Sequence, residues 1–332
     1  MPFQIAPFFH PTTVIFVDDN EGFLRSLDLD LPVNWSYRLF AQPTDAIDFL
    51  NRPSTLPPLV DRCFRTAVDC HGNRSITLDM STIEQEINHL ERFNRTSVVM
   101  IDYSMPLMSG LEFCAEIRDP YVQKAMLTGV ADEKTAVQAF NARLIDRFVP
   151  KTTEHSVNDI YSTIEELLHD YFTQHTARLM NTLALDPPAF LLSHEVGRVL
   201  RRITNQHQIV EYYLVDQPQG FLMLRADGSS LRLLVSDRPH RAQALADAQA
   251  MQAPPYVLDA LRNEQYILTY ADNPRDYRHG DYPWEDNLVA ATAVRGQGDW
   301  VIGIVQDPPA DIDFDARRCS YNAFLKTVKK YR

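Results

Sequence analysis

The sequence of 332 residues lacks the features that mark secreted, membrane-spanning and low-complexity proteins. It has no low-complexity block, and its first ten residues contain no basic segment followed by a long apolar run, so we expect no signal peptide. No stretch approaches the roughly 18 uncharged apolar residues of a membrane span, so no membrane insertion is expected. The four cysteines are few and scattered, which fits a reducing cytoplasm better than a disulfide framework.

An excess of positive charge is also missing. The formal net charge is −12, with 14 Lys and Arg against 20 Asp and Glu in residues 1–151, and 18 against 24 in residues 152–332. Neither half is basic, whereas nucleic-acid binding normally requires a positive face that displaces counterions from phosphates. The sequence therefore does not indicate nucleic-acid binding. Its length predicts two domains.

Short apolar runs alternate with helical patterns in the first half of the chain. The runs predict five buried strands: Val14–Val17, Trp35–Phe40, Val98–Ile101, Ala125–Leu127 and Phe148–Val149. Apolar spacings of three and four residues predict the helices Thr44–Leu50, Gly110–Ile117, Glu133–Leu144 and one over residues 155–185. Strands that alternate with helices imply an α/β fold with a parallel sheet.

One segment interrupts this alternation. Residues 51–96 begin with three prolines and end with an amphipathic stretch, Ser81–Phe93. We predict an insertion made of an irregular or hairpin part followed by a helix. The first domain is then expected to span residues 1–172, with the insertion at about 51–96, and a helical linker is expected to cover residues 173–189.

The remaining residues, 190–332, have a different pattern that predicts a second domain. The predicted strands are Ile209–Val215, Gly220–Leu224, Leu231–Val235, Tyr266–Tyr270, Leu288–Val294 and Trp300–Val305. The predicted helices are Phe190–Ile203, His240–Gln252, Pro255–Arg262 and Asp315–Tyr331. Strands that are grouped together rather than alternating with helices favour an α+β domain.

Five polar residues follow or end the predicted parallel strands. They are Asp18, Asp19, Asp102, Thr128 and Lys151. Functional groups collect at the carboxyl ends of parallel strands, so we expect these side chains to lie together. Three adjacent carboxylates repel one another unless a cation neutralises them, and oxygen ligands suit Mg²⁺. A carboxylate can also accept a phosphoryl group, whose oxygens a hydroxyl and an ammonium group can bind.

Four short motifs resemble those of the receiver domains of two-component response regulators. They are Val-Asp-Asp at 17–19, Ile-Asp-Tyr-Ser-Met-Pro-Leu-Met-Ser-Gly at 101–110, Leu-Thr-Gly at 127–129 and Phe-Val-Pro-Lys at 148–151. The resemblance covers residues 12 to about 172 outside the insertion. It implies a flavodoxin-like, doubly wound, five-stranded parallel sheet. It also implies a cytoplasmic protein whose partner is a sensor histidine kinase or a phosphotransfer protein.

The resemblance further implies which residues bind phosphate and metal. Asp102 is expected to be the phosphoacceptor of a protein that relays a two-component signal. Asp18, Asp19 and Asp102 are expected to hold Mg²⁺ together with the backbone carbonyl of Ser104. The chemistry expected of this domain is its own phosphorylation and dephosphorylation, and no other enzymatic activity is expected of it.

Two further roles and one departure follow from the same resemblance. Lys151 is expected to pair with the phosphoryl group, and Thr128 to swing toward it while Phe148 follows as an aromatic switch. The family usually has proline directly after the lysine, but here Thr152 follows and Pro150 precedes. A cis bond before a residue other than proline is costly, so we predict a remodelled loop after Lys151. A degenerate receiver that is not phosphorylated remains an alternative.

Three other segments have a functional and a plain interpretation. Cys63, Cys70 and His71 contain metal-binding residue types, but their spacing is not a zinc pattern and a fourth ligand is missing, which favours ordinary thiols. Ser193, followed by His194 and Glu195, faintly resembles a phosphorylated-histidine segment of sensor kinases, yet a capped helix start is the better interpretation. The loop over residues 272–287 is either a ligand pocket or a solvated connection.

The second domain carries no motif that identifies its activity. Residues 186–332 contain no recognisable helix-turn-helix and no motif of cyclic-dinucleotide enzymes, and the order of elements is only loosely similar to a PAS-type module. Two hypotheses stay open: an adaptor whose second domain binds a protein or small ligand, or an unrecognised enzymatic or DNA-binding domain. Homodimerisation through Glu133–Leu144, Phe148 and the helix His155–Tyr171 is also predicted, against a monomer in which these residues only cover the sheet.

Overall fold

The computed structural model describes residues 5–53, 56–68, 74–128, 144–151, 156–182, 188–216, 218–269, 282–294, 296, 298–306 and 314–328. The chain forms two compact units, each assembled from three segments. The parallel-sheet unit contains Pro11–Pro58, Leu90–Arg178 and Phe324–Arg332, and the antiparallel-sheet unit contains Met1–His10, Leu59–His89 and Leu179–Ala323. Within the described residues, no helix combines the length and the apolarity needed to cross a membrane.

The secondary-structure elements are numbered along the chain. The strands are β1 Phe8–Phe9, β2 Thr13–Val17, β3 Ser36–Phe40, β4 Phe64–Val68, β5 Arg74–Leu78, β6 Thr96–Asp102, β7 Gln123–Thr128, β8 Arg147–Pro150, β9 Ile209–Val215, β10 Gly220–Arg225, β11 Ser230–Ser236, β12 Tyr266–Leu268, β13 Leu288–Val294 and β14 Trp300–Gln306. The α-helices are α1 Glu21–Asp30, α2 Pro43–Leu50, α3 Leu59–Arg62, α4 Met80–Gln85, α5 Glu91–Asn94, α6 Gly110–Glu116, α7 Ser156–Thr182, α8 His194–Gln206, α9 Arg238–Ala250, α10 Pro255–Arg262, α11 Ala316–Cys319 and α12 Tyr321–Val328. Short 3₁₀ helices occupy Glu86–Asn88, Ala189–Leu192 and Glu285–Asn287.

Five parallel strands form the sheet of the first unit, in the order β3-β2-β6-β7-β8. Alternate residues of one strand belong to two different core clusters, one on each face of the sheet, because successive side chains of a strand point to opposite faces. In β2, Val14 and Phe16 pack with residues of α1 and α7, while Ile15 and Val17 pack with residues of α2 and α6. Helices therefore cover both faces. This confirms the predicted flavodoxin-like, doubly wound sheet.

Seven antiparallel strands form the sheet of the second unit, in the order β1-β9-β10-β11-β14-β13-β12. Residues of α8, with Val196, Leu200 and Ile203 buried, share a core with β9, β10, β11 and β14. Residues of α9 and α10 form a separate core cluster with the segment before β13. This confirms the predicted α+β class, while the similarity to PAS modules stays a prediction.

Three predicted helices differ from the structure because a residue with extended backbone interrupts them. His89 is extended and separates α5 from the short helices before it, so Ser81–Phe93 is not one helix. Ser193 is extended and begins α8 after a 3₁₀ turn, although one helix was predicted over Phe190–Ile203. Ser320 is extended and separates α11 from α12. Of the two alternatives for the insertion, an irregular part or a hairpin, the structure has two paired antiparallel strands, β4 and β5.

Some predictions stay open. The helix Glu133–Leu144 lies outside the described residues apart from Leu144, and so do Thr152 and most of the loop over 272–287. The domain boundaries at 172 and 190 stay a prediction. Residues 59–89 of the predicted insertion group with the antiparallel-sheet unit, and α7 continues from residue 156 to residue 182.

Candidate functional site

The parallel sheet brings the predicted polar residues to one edge. Asp18 follows the last residue of β2, Asp102 ends β6, Thr128 ends β7 and Lys151 follows β8. Neighbouring strands run in register, with Val17 opposite Ile101 and Asp102 opposite Leu127. Because all five strands are parallel, their carboxyl ends meet at this edge, as the sequence predicted.

Lys151 joins two of the carboxylates. Its Nζ donates to Asp18 Oδ2 at 2.6 Å and lies 2.6 Å from Asp102 Oδ1. The side chain of Asp18 is only 1% exposed, that of Asp102 11% and that of Lys151 22%. The Lys151 backbone N–H donates to the Thr128 carbonyl at 2.9 Å, which fixes the start of the lysine against the end of β7. A largely buried cation therefore lies between two buried carboxylates.

Burial changes the proton affinity of both partners. Burial, with repulsion from Asp18 and Asp19, raises the pKa of Asp102, and together these effects outweigh the hydrogen bond and the attraction of Lys151, which lower it. Burial alone lowers the pKa of Lys151, but its hydrogen bonds to Asp102 and Asp18, together with the attraction of both carboxylates, outweigh that effect and its pKa is raised. Lys151 therefore remains an ammonium group. A carboxylate with a raised pKa is more basic, and hence a better nucleophile, than an exposed one.

Three carboxylates form a cluster that can hold a cation. Oxygens of Asp18, Asp19 and Asp102 all lie within 4.8 Å of one another. Asp18 and Asp102 are buried while Asp19 is exposed, so the cluster opens to solvent on one side. Clustered oxygen ligands with an open side fit Mg²⁺, which keeps several waters. Among the described residues this is the one group of three or more His, Cys, Asp or Glu side chains with metal-ligand spacing.

The backbone around the carboxylates is held by residues that the sequence analysis did not single out. The Asn20 N–H donates to Asp18 Oδ1 at 2.9 Å, and Asn20 Oδ1 accepts from the Phe23 N–H at 3.1 Å, which caps α1. The centre of the Phe23 ring lies 5.0 Å from Lys151 Nζ. Asn is a common N-cap residue, so Asn20 could have indicated a helix start. The apolar pattern of α1 is weak, however, because only two of its residues are buried.

Gly110 allows the loop after β6 to turn close to Asp102, the last residue of that strand. Its N–H donates to the Tyr103 carbonyl at 2.9 Å. A Cβ at position 110 would lie 2.6 Å from the Asp102 carbonyl oxygen, so a larger residue requires the backbone to shift. Ser109 and Glu112 form a capping box that starts α6 directly after this turn.

The remaining predicted site residues occupy different environments. Thr128 is buried, one position beyond Leu127, the register partner of Asp102. Phe148 is 44% exposed, so the proposed aromatic switch points outward. Ser104 is exposed two residues after Asp102, and its carbonyl as a metal ligand stays a prediction.

The two alternative sites of the sequence analysis gain no support. Burial raises the pKa of the Cys63 thiol to about 12, so this thiol is protonated at neutral pH, while Cys70 and His71 lie outside the described residues. The Ser193 hydroxyl accepts from the Val196 N–H and contacts Glu195, so Ser193 is the N-cap of α8.

The chain is similar over almost its whole length to the response regulator LqsR of Legionella pneumophila. The identity is 29%, the match covers 98% of this chain and 97% of that one, and the TM-score is 0.80. A CheY-like receiver domain from Methanospirillum hungatei JF-1 matches 49% of this chain at 17% identity, with 98% of that chain covered and a TM-score of 0.33. No family model and no curated protein matches the sequence. The likeness over the whole length confirms the resemblance to response regulators.

Proposed function

We propose that this protein is a response regulator that is phosphorylated on Asp102 and relays that signal to its antiparallel-sheet unit. The observation that carries the proposal is the position of Lys151 Nζ, 2.6 Å from both Asp18 and Asp102 beside an exposed third carboxylate. A lysine with a purely structural role needs only one carboxylate partner. A second buried carboxylate and an exposed third one add repulsion that a bound cation relieves.

In the proposed reaction Asp102 acts as the nucleophile. One carboxylate oxygen of Asp102 attacks phosphorus in the phosphohistidine of a sensor kinase or a phosphotransfer protein, and the P–N bond breaks. The bonding electrons remain on the imidazole nitrogen, and an acyl phosphate forms on Asp102. Lys151 is already within hydrogen-bond distance of Asp102 and can follow a phosphoryl oxygen as negative charge grows there.

The carboxylate cluster fits a magnesium ion. Asp18, Asp19 and Asp102, with the Ser104 carbonyl, would hold it, and when bound it supplies positive charge that shields the entering phosphoryl group from the carboxylates. Thr128 is the proposed ligand of another phosphoryl oxygen, because it ends the strand beside Asp102. Movement of Thr128 and Phe148 on phosphorylation is the proposed route of the signal.

The antiparallel-sheet unit is proposed to bind a protein or a small ligand rather than to catalyse a reaction. A cavity of about 360 Å³ there combines apolar residues such as Leu234 and Ile267 with the polar Asp216, Ser236 and Gln243. A mainly apolar cavity with a few polar groups is typical of small-ligand sites. We place the protein in the cytoplasm, where the proposed phosphodonors act.

Magnesium titration tests this proposal. Binding of Mg²⁺, followed by intrinsic tryptophan fluorescence or calorimetry, should be weak in the wild-type protein and strongly reduced in the double variant Asp18→Ala, Asp19→Ala. Asp45→Ala and Asp48→Ala, which remove exposed carboxylates of α2, are the matched control and should bind Mg²⁺ as the wild type does. Equal binding by the wild type and the Asp18, Asp19 variant would contradict the assignment.

A further inference from the structure

A second charged pocket lies at the other edge of the parallel sheet. Its lining includes Thr96, the first residue of β6, and Val122, which directly precedes β7, so it is next to the amino ends of these strands. The carboxylate cluster lies at the carboxyl ends. The pocket has a volume of about 590 Å³, enough for a small molecule.

Arginine dominates this pocket, which we call the arginine pocket. Four arginines line it: Arg38, Arg52, Arg95 and Arg118. Two acidic residues, Glu91 and Asp119, line it as well, so the charge of the lining is positive although the protein carries −12. No ion pair joins any of the four arginines to another residue that the structure describes.

Two of these arginines contact the same aromatic ring. The guanidinium carbon of Arg38 lies 4.7 Å from the centre of the Phe49 ring, and that of Arg52 lies 5.6 Å from it. Contact with the ring offsets part of the cost of bringing the two cations together. Burial, and then repulsion from the charge of Arg52, lower the pKa of Arg38. An anion would remove this repulsion.

Backbone contacts hold the rest of the pocket in place. Arg95 donates to the carbonyl oxygens of Leu56 and Pro57 at 2.8 and 2.6 Å. Asn51 accepts from the Arg118 N–H at 3.1 Å and donates to the Glu116 carbonyl at 2.9 Å. These bonds join the segment after α2 to the segment after α6. The bonds hold the guanidinium of Arg95 and the backbone at Arg118, while the side chains of Arg52 and Arg118 are exposed.

We propose that the arginine pocket binds a small molecule that carries phosphate. Guanidinium groups bind phosphate oxygens with paired hydrogen bonds. Four guanidinium groups around one cavity supply more positive charge and more donors than a ligand with a single carboxylate needs. The apolar part of the lining, Phe49, Leu50, Val122 and Tyr171, can contact the rest of the ligand. A long nucleic acid does not fit this description, because it would meet the negative charge of the surrounding protein. This site is separate from the phosphorylation of Asp102.

Calorimetry with the full-length protein in EDTA tests the proposal, with inorganic pyrophosphate, ADP and adenosine as probes. Pyrophosphate and ADP should bind, and added salt should weaken the binding. Adenosine should not bind. Tighter binding of ADP than of pyrophosphate would identify a nucleotide-like ligand, whereas equal binding would limit recognition to the phosphates. The variant Asp102→Asn should bind as the wild type does, which keeps this test independent of the phosphorylation site.

Variants locate the binding. The double variant Arg38→Gln, Arg52→Gln should lose at least about tenfold in affinity, since hydrogen bonds to charged groups are removed. Arg52→Gln with Arg118→Gln changes only exposed residues and should also weaken binding if the first variant does not fold. The matched control is Arg198→Gln with Arg202→Gln, which removes two exposed arginines from α8. Absence of binding, equal binding of adenosine and ADP, or an equal loss in the control would overturn the proposal.

Discussion

Lys151 is the residue on which the candidate site depends, because it contacts two carboxylates through one ammonium group. In Lys151→Met the phosphoryl group loses its cationic partner, so we expect labelling by a small phosphodonor to slow by at least about tenfold. Mg²⁺ binding should persist or tighten, since the lysine no longer competes for the carboxylates. Rates from intact-mass spectra and a Mg²⁺ titration measure the two effects. Loss of Mg²⁺ binding in this variant would show that Lys151 organises the cluster instead.

A second prediction for a single residue concerns Gly110. Ala at this position would place Cβ 2.6 Å from the Asp102 carbonyl oxygen, and the backbone has to move to accept it. We expect Gly110→Ala to lower the free energy of unfolding by about 1–3 kcal/mol, measured by urea denaturation. Gly22→Ala is the control, because its Cβ would meet only the side-chain oxygen of Asn20, at 3.1 Å. An equal loss in both variants would contradict this explanation.

Among the elements, the start of α8 has two interpretations that substitutions can distinguish: a capped helix start or a phosphorylated-histidine segment. Ser193 caps this helix and His194 is exposed. Ser193→Ala should therefore lower the free energy of unfolding by about 1 kcal/mol. His194→Gln should change it by less than about 0.5 kcal/mol and should leave phosphoryl labelling unchanged. Urea denaturation and labelling of both variants check this. A phosphoryl group on His194 would restore the sensor-kinase interpretation.

Strands could be predicted from the sequence where nearly all of their residues are buried. The apolar run of β2 is followed by Asp18 and that of β6 ends in Asp102, so these strands and the sheet edge that carries the candidate site could be predicted from the sequence. Helix α1 was missed because only Leu24 and Leu27 of its residues are buried. The breaks at Ser193 and Ser320 were missed because a serine within an amphipathic pattern does not reveal whether its backbone is helical or extended.

The candidate site could be predicted from the sequence, but the arginine pocket could not. The order of the motifs predicted that Asp18, Asp102 and Lys151 would meet, since parallel strands share a carboxyl edge. The arginine pocket was not predicted, because Arg38, Arg52, Arg95 and Arg118 come from separate segments with no common motif. Their proximity depends on contacts of the segment that follows α2 with the segments before β6 and β7.

For the whole molecule, the oligomeric state is the open question. The apolar residues of α7, including Ile160, Ile164 and Leu167, are buried in the core of their own unit, whereas Phe148 is exposed. We expect beryllofluoride with Mg²⁺ to increase the dimer fraction in sedimentation velocity, and Phe148→Asp to weaken the dimer, because it places a charge on an apolar contact. An unchanged monomer under both conditions would leave transmission within one chain.

The central claim is that Asp102 accepts a phosphoryl group, and intact-mass spectrometry after incubation with acetyl phosphate and Mg²⁺ tests it most directly. The wild type should gain one base-labile phosphoryl group. Asp102→Asn should gain none, because the amide cannot form an acyl phosphate. Asp48→Asn, an exposed carboxylate in the same unit, should be labelled as the wild type is. Equal labelling of Asp102→Asn and the wild type, or no labelling of the wild type, would contradict the account.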